Sequence, residues 1–295
     1  GGTSSLCSTF FPEMGIPVVP MTDGLSMEGI TSAMNEAARH GPLGMVLIET
    51  PANPTNTLID ISLVGGQCLQ HGLKTGHKPV FVVDNTFLGP IYQKPILHGA
   101  DLVAYSVTKY LAGHSDLVAG AVAGRSDLMA KVLKLRGLLG TQLDPHSAWL
   151  ISRSLETLSL RMQRANDSAR IIAEHLRDHP MVESVNYLGF LKPGTREAEV
   201  FAKQCGKAGS TFAFTIKGGR DKAFRFLNRI QLIKLAVSLG GTESLICHPA
   251  STTHSGIKAE ERAALGITEG TIRLSIGVED PGDLLADIDQ AMHDA

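Results

Sequence analysis

Two short apolar runs, each ending in polar chemistry, constrain this chain most. Phe81-Val82-Val83 closes on Asp84 and is followed by Asn85-Thr86; Asp101 to Tyr105 leads into Ser106-Val107-Thr108-Lys109-Tyr110. Runs this short, bounded by turn residues, read as strands buried on both faces. Ile16 to Val19, Gly44 to Ile48 and Leu117 to Val122 are of the same kind, while Met27 to Ala38 and Ile59 to His71 carry helical spacing. Alternation of strand and helix predicts an α/β fold with a largely parallel sheet covered by helices. In such sheets ligands sit beyond the carboxyl ends of the strands, where Asp84 and Ser106 fall.

The character changes at Asp144-Pro145-His146. Asp144 is placed to cap a helix and Pro145 to occupy its first position, and leucines recur from Leu150 toward Leu176. A long linking helix is therefore expected, followed by a smaller α+β domain. Its expected strands are Val182 to Tyr187, Thr211 to Ile216, Leu232 to Leu239 and Ile272 to Ile276, with helices over Arg220 to Asn228 and Pro281 to His293. The organisation is thus a large domain over 1–143 and a helix plus small domain over 144–295.

The formal net charge of -2 gives no electrostatic reason to expect nucleic acid or an anionic membrane surface as partner. No apolar run approaches the roughly 20 residues that span a bilayer. Gly1-Gly2-Thr3 has neither the charged nor the apolar region of a signal peptide, so a cytoplasmic protein is expected. Cys7, Cys68, Cys205 and Cys247 form no CxxC pair and read as reduced thiols. The histidines show no metal-ligand clustering, no metal is expected, and His248 and His254 read as loop-organising residues. GxGxxG, GxxxxGK[ST] and GxSxG are all absent, which removes support for a dinucleotide fold, a phosphate loop and a serine hydrolase.

What remains is a carboxylate, hydroxyls and an amine at neighbouring strand ends. Pyridoxal phosphate needs all three: an acid beside its ring nitrogen, a grip on its phosphate, and an amine for its aldehyde. Lys109 could be an ordinary surface lysine, but desolvation there would lower its proton affinity and suit it to covalent work and proton transfer. Asp84 is a helix cap, half of a buried ion pair, or the partner of a ring nitrogen. Ser106 and Thr108, at alternate positions of an extended chain, would point one way, toward one phosphate. Asn53, bracketed by Pro51 and Pro54, is a turn residue or a fixed donor and acceptor. Arg273, in the apolar Thr271 to Ser275, is half of an ion pair or a clamp for a substrate carboxylate.

Together with Glu49-Thr50-Pro51-Ala52-Asn53-Pro54, Ser238-Leu239-Gly240-Gly241 and His248-Pro249-Ala250-Ser251-Thr252-Thr253-His254, these motifs resemble the Cys/Met-metabolism family of pyridoxal-phosphate enzymes. The resemblance covers essentially the whole chain. It implies the aspartate-aminotransferase-like fold type I and a homotetramer built as a dimer of dimers. It implies pyridoxal 5'-phosphate held covalently on Lys109, with Asp84 at the ring nitrogen, Ser106 and Thr108 at the phosphate, and Asn53, Arg273 and Ser238 at the substrate carboxylate. It also implies a further stretch ahead of Gly1, of which this sequence would be a fragment. That stretch supplies an arm to the neighbouring subunit and a tyrosine that stacks on the cofactor and protonates the leaving thiolate.

The expected reaction is γ-elimination from a sulfur amino acid. In family members that handle cystathionine, the residue before the serine of Ser-Leu-Gly-Gly is commonly glutamate; here it is Val237, whose apolar side chain suits a methyl-thioether tail. L-Methionine is accordingly the expected substrate. The alternatives are cystathionine γ-lyase, cystathionine γ-synthase or an O-acylhomoserine sulfhydrylase, and, from another class, a non-catalytic subunit of the same fold.

Overall fold

The computed structural model describes residues 2–293; Gly1 of the opening tripeptide, and the last two residues of the expected second segment, lie outside the described residues. Four strands form the first sheet in the order β1 (Met45–Glu49), β2 (Val80–Asp84), β3 (Leu102–Ser106), β4 (Gly120–Gly124). The first three run parallel and β4 is antiparallel to β3. Between β3 and β4 the chain makes a turn with no crossover helix, which forces the antiparallel return. The expected strand at Ile16 to Val19 does not form. Ile16 and Val18 are exposed and find no ladder partner, so two β-branched residues in a short run were a misleading signal there.

Helices α1 (Met27–Ala38) and α2 (Ile61–Thr75) cover β1 and β2. Ser26 caps the first by accepting from Gly29 N at 3.0 Å, and Asp60 caps the second by accepting from Leu63 N at 3.0 Å. Their buried faces bring Ile30, Met34, Ile61, Val64 and Cys68 against Ile48, Phe81 and Val83. Full burial of such side chains stabilises the fold by about 1.5–3 kcal/mol each. The two ends of this layer are therefore held firmly, and the tips of β1 and β2 with them.

The expected long helix is divided. α3 (Ser126–Leu139) precedes α4 (Pro145–Leu155), which starts as expected with Asp144 accepting from Ser147 N at 2.9 Å and Pro145 in its first turn. The chain breaks at Glu156-Thr157 before α5 (Leu158–Asp178). Only α5 has a buried stripe: Met162, Ala165, Ala169, Ile172 and Leu176. It lies against a second sheet ordered β5 (Val182–Asn186), β6 (Thr211–Ile216), β9 (Thr271–Ser275), β8 (Leu245–Cys247), β7 (Lys234–Leu235). The expected strand from Leu232 to Leu239 shrinks to two residues, and β8 takes the place beside β9.

α6 (Arg196–Gln204), α7 (Gly219–Arg229) and α8 (Pro281–Met292) complete the second part. Ile272 and Leu274 of β9 pack with Phe214 and Phe226 into the core. By strand alternation Thr271, Arg273 and Ser275 face the other way, toward the first sheet. Across that junction Asn56 Nδ2 donates to Asn186 O at 3.1 Å and Thr211 O at 3.0 Å, and Thr242 N donates to Gly113 O at 2.9 Å. Buried polar contacts of this kind fix how the two sheets face each other.

Candidate active site

Glu49, Asp84 and Ser106 terminate β1, β2 and β3, and the register pairs Glu49 with Asp84 and Asp84 with Ala104. Register partners in a parallel sheet share a face, and Ser106 lies two residues beyond Ala104 on that same face. Asp84 Oδ1 accepts from Thr86 N at 3.0 Å and Thr86 Oγ1 at 2.6 Å. Among the described residues no hydrogen bond reaches Asp84 Oδ2. Thr86 Oγ1 in turn accepts from Ser106 N at 2.8 Å, so one hydroxyl ties the acid to the tip of the next strand. Glu49 is different in kind. Burial, aided by the charge of Asp84, pushes its carboxyl up to about 7.

The chain turns at Val107 rather than staying extended, which removes the alternate-position reason for aligning Ser106 and Thr108. Thr108 Oγ1 accepts from Ala119 N at 2.9 Å and donates to Ala119 O at 3.3 Å. Lys109 follows in the turn, half-buried, with Nζ donating to Ser238 Oγ at 3.0 Å. Burial first, and then the charge of Arg273, lowers its proton affinity. The turn is gripped from two sides. Arg161 donates through Nη1 to Tyr110 O at 2.8 Å and through Nη2 to Leu111 O at 3.3 Å. Opposite, Gly240 sits where a Cβ would lie 2.8 Å from Tyr110 N. Only glycine permits that approach, and its φ of +73° is one that glycine adopts without strain.

Arg273 is 1% exposed. Its Nη2 donates to Val237 O at 2.6 Å and Ser238 O at 2.7 Å, and its Nη1 to Asn53 Oδ1 at 3.2 Å. Its buried Nε meets no acceptor, and among the described residues no carboxylate forms an ion pair with it. A desolvated guanidinium without a counter-charge is costly, and it remains a strong site for an incoming carboxylate. Asn53 is held further by its own N–H, which donates to Glu49 Oε1 at 3.1 Å. The His254 ring lies against its backbone, and burial pushes that ring down to about 4. Val237 contributes its carbonyl to Arg273 while its side chain, 54% exposed, lines a cavity of about 200 Å³ with Phe224, Leu227 and Leu235.

Seven of the expected residues are thus linked into two groups. Lys109, Ser238, Val237, Arg273 and Asn53 share one chain of hydrogen bonds, and Asp84 joins the tip of β3 at Ser106 through Thr86. Sequence reasoning passed over Glu49, Thr86 and Arg161. A hydroxyl two residues after a strand-end acid was a readable sign for Thr86. Arg161 gave no sign, since the carbonyls it grips after Lys109 lie about fifty positions away.

A family model described as Cys/Met metabolism PLP-dependent enzyme matches residues 1–293. L-methionine gamma-lyase of Pseudomonas deceptionensis is 43% identical over 294 residues, covering 99% of this chain and 70% of that protein. Cystathionine gamma-lyase of Dictyostelium discoideum is 43% identical over 249 residues, covering 84% and 62%. Among solved structures, cystathionine gamma-lyase from Lactobacillus plantarum complexed with L-serine superposes with a TM-score of 0.88 at 32% identity, over 98% of this chain and 72% of that one. The chain therefore spans 62% and 70% of the length of the two curated relatives.

Proposed function

This chain belongs to the Cys/Met metabolism family of PLP-dependent enzymes, and from that premise we propose that its site carries out γ-elimination on a sulfur amino acid, with L-methionine yielding methanethiol, ammonia and 2-oxobutanoate. The observation that carries the reading is the buried, unpaired Arg273 one residue's reach from Lys109: both bond to Ser238, the guanidinium to its carbonyl and the amine to its hydroxyl. An amino acid offers the missing carboxylate, and its α-carbon then falls beside an amine whose proton affinity is already lowered.

The residues fit pyridoxal phosphate. Lys109 supplies the amine that holds it, Asp84 the acid for its ring nitrogen through the oxygen Thr86 leaves unbonded, and Ser106 and Thr108 hydroxyls for its phosphate. When bound, that group supplies the electron withdrawal that makes the α- and β-protons of an amino acid removable. Arg273 and Asn53 bind the substrate carboxylate and fix the Cα–H bond toward Lys109. Ser238 holds Lys109 Nζ in place and accepts from it while it takes and returns a proton. Val237 gives its carbonyl to Arg273 and so stands next to the carboxylate corner. The apolar Val237, where a glutamate would supply a carboxylate, accommodates a thioether and offers a distal ammonium no counter-charge. That difference is expected to favour methionine over cystathionine by roughly tenfold.

The second reading is a cystathionine-directed reaction, favoured by the equal 43% identity to the Dictyostelium discoideum cystathionine gamma-lyase. Holoprotein incubated separately with L-methionine, L-cystathionine and an O-acylhomoserine plus cysteine decides between them. Methanethiol and 2-oxobutanoate from methionine support the first; product from the acylhomoserine pair alone replaces it with γ-replacement. Val237→Glu is expected to raise cystathionine use about tenfold, and no change would remove Val237 from the account of specificity.

Self-association as a dimer of dimers is part of the same proposal. Neither α3 nor α4 has a buried residue, and Val118, Leu138, Leu139 and Trp149 are each more than half exposed. Apolar exposure on this scale marks a surface that a second copy covers. Light scattering of the purified protein is expected to give four copies. A cytoplasmic setting is proposed as well, on the strength of four free cysteines of which Cys68 and Cys247 are buried. Among the described residues no helix is long and apolar enough to cross a membrane.

A further inference from the structure

Glu49 stands where the two groups of site residues meet. It ends β1 as the register partner of Asp84, and its side chain turns back on the loop that follows to accept from Asn53 N at 3.1 Å. That loop has few other ties near Asn53. Ala52 N donates to Thr57 O and Asn56 N to Ala52 O, which close the turn around it, and Thr50 Oγ1 accepts from Ile59 N at 3.0 Å. Asn53 itself is oriented by the Glu49 contact on one side and the His254 ring on the other, and only then does its Oδ1 meet Arg273 Nη1 at 3.2 Å.

We propose that Glu49 is a positioning residue: by accepting from the Asn53 N–H it aims the Asn53 side chain at Arg273 and so shapes the corner that receives the substrate carboxylate. The inference rests on the carboxylate-binding reading above. Three observations support it. The Glu49–Asn53 bond spans four residues across a loop bracketed by Pro51 and Pro54, so the tie fixes the position of Asn53 rather than of a helix or strand. Glu49 is the register partner of Asp84 at the adjacent strand tip, and burial pushes its carboxyl up to about 7, so it holds its proton to higher pH than an ordinary carboxyl. A carboxyl accepts through an oxygen whether ionised or not, so the bond to Asn53 survives the titration of Glu49. Asn53 in turn donates and accepts with no charge of its own. Among the described residues no carboxylate forms an ion pair with Arg273, so the corner keeps that cation for an incoming anion.

The test uses holoprotein and reads KM and kcat for L-methionine, together with the inhibition constant of 2-oxobutanoate, which shares the carboxylate but lacks the amine. Glu49→Ala is expected to raise KM and the inhibition constant together by about tenfold while kcat stays within about threefold, the size of effect expected when one hydrogen bond in a buried site is lost. Glu49→Gln, which keeps the acceptor and no charge, is expected to restore both to within about threefold of wild type. If Glu49→Ala does not fold, Glu49→Met fills the space without an acceptor and is read in its place. Unchanged KM and inhibition constant in the acceptor-free variant, or Glu49→Gln no better than it, overturns the role of Glu49. Asn53→Ala separates the two levels: if it too leaves both constants unchanged, the carboxylate-binding reading itself fails, whereas raised constants there with an unaffected Glu49→Ala overturn only the inference about Glu49.

Discussion

Glu49→Gln should make this protein more stable at neutral pH while making little difference in acid, and the size of the effect follows from one carboxyl. Unfolded, Glu49 loses its proton near its ordinary value of 4.5; folded, it holds the proton until about 7. Between those values the folded chain binds more protons than the unfolded one, so stability falls as pH rises. The contribution is fully present below 4.5, declines across the window from 4.5 to 7, and is gone above 7. A difference of 2.5 units at about 1.36 kcal/mol each comes to roughly 3 kcal/mol. Glu49 keeps part of its surface in solvent, and screening there reduces the expected figure to about 2 kcal/mol.

Glutamine cannot titrate, so the variant escapes this loss. Urea unfolding of the cofactor-free protein at pH 4.5, 6 and 8 measures it as a shift in midpoint at constant slope. The variant's advantage over wild type should grow by about 2 kcal/mol from the first pH to the last. In an Asp84→Asn background most of that growth should persist, because burial is the larger cause and the Asp84 charge a smaller one. An advantage that is the same at all three pH values would refute the account, since it would mean that Glu49 titrates alike in both states.

Further expectations concern the parts that hold the site. Gly113→Ala should destabilise by about 2 kcal/mol, because the residue has φ +70° and a Cβ would collide with Arg161 Nη1, which is held on Tyr110 O; thermal melting checks it. Thr86→Val should cost about 1–2 kcal/mol, and should weaken cofactor retention more than Thr86→Ser, as read by equilibrium dialysis, since the hydroxyl serves Asp84 and Ser106 at once. Arg273→Lys keeps the charge but loses the fork that spans Asn53 Oδ1 and the carbonyls of Val237 and Ser238. KM for methionine should rise about a hundredfold with a smaller change in kcat, and an unchanged KM would place the substrate carboxylate elsewhere.

Much of this was readable in the residues because it depends on local pattern. β1, β2 and β3 are short apolar runs closed by polar residues, and buried parallel strands have few other ways to be written. α1 and α8 carry regular apolar spacing and capping residues, Ser26 and Asp280, at the positions where those helices begin. Elements that escaped did so for physical reasons. α3 buries no residue within the chain, so none of its faces had to be apolar and its leucines fall around the helix. α6 is only nine residues long, a run easily passed over between two loops although Thr195 caps it and its apolar and charged residues are segregated. β8 is three residues long and is held by its neighbour: Cys247 pairs with Arg273, and nothing within Leu245–Cys247 announces it.

The site divides along the same line. Asp84, Ser106 and Lys109 follow strand ends directly and could be placed by counting along the chain. Arg273 could be noticed because a charge in an apolar strand needs a reason, yet its lack of a counter-charge is visible only once the second sheet faces the first. Glu49, Thr86 and Arg161 act on other residues rather than presenting chemistry of their own, and their partners are set by folding. Thr86 spans two strand tips, Arg161 reaches back to the turn after Lys109, and Glu49 grips a loop four residues on. Groups that perform chemistry are confined to a few side-chain types and so leave a compositional trace. Groups that hold them in place need only a donor or acceptor at the right distance, which many side chains can provide. The residues least legible in this sequence are therefore the ones whose substitution should separate binding from turnover most cleanly.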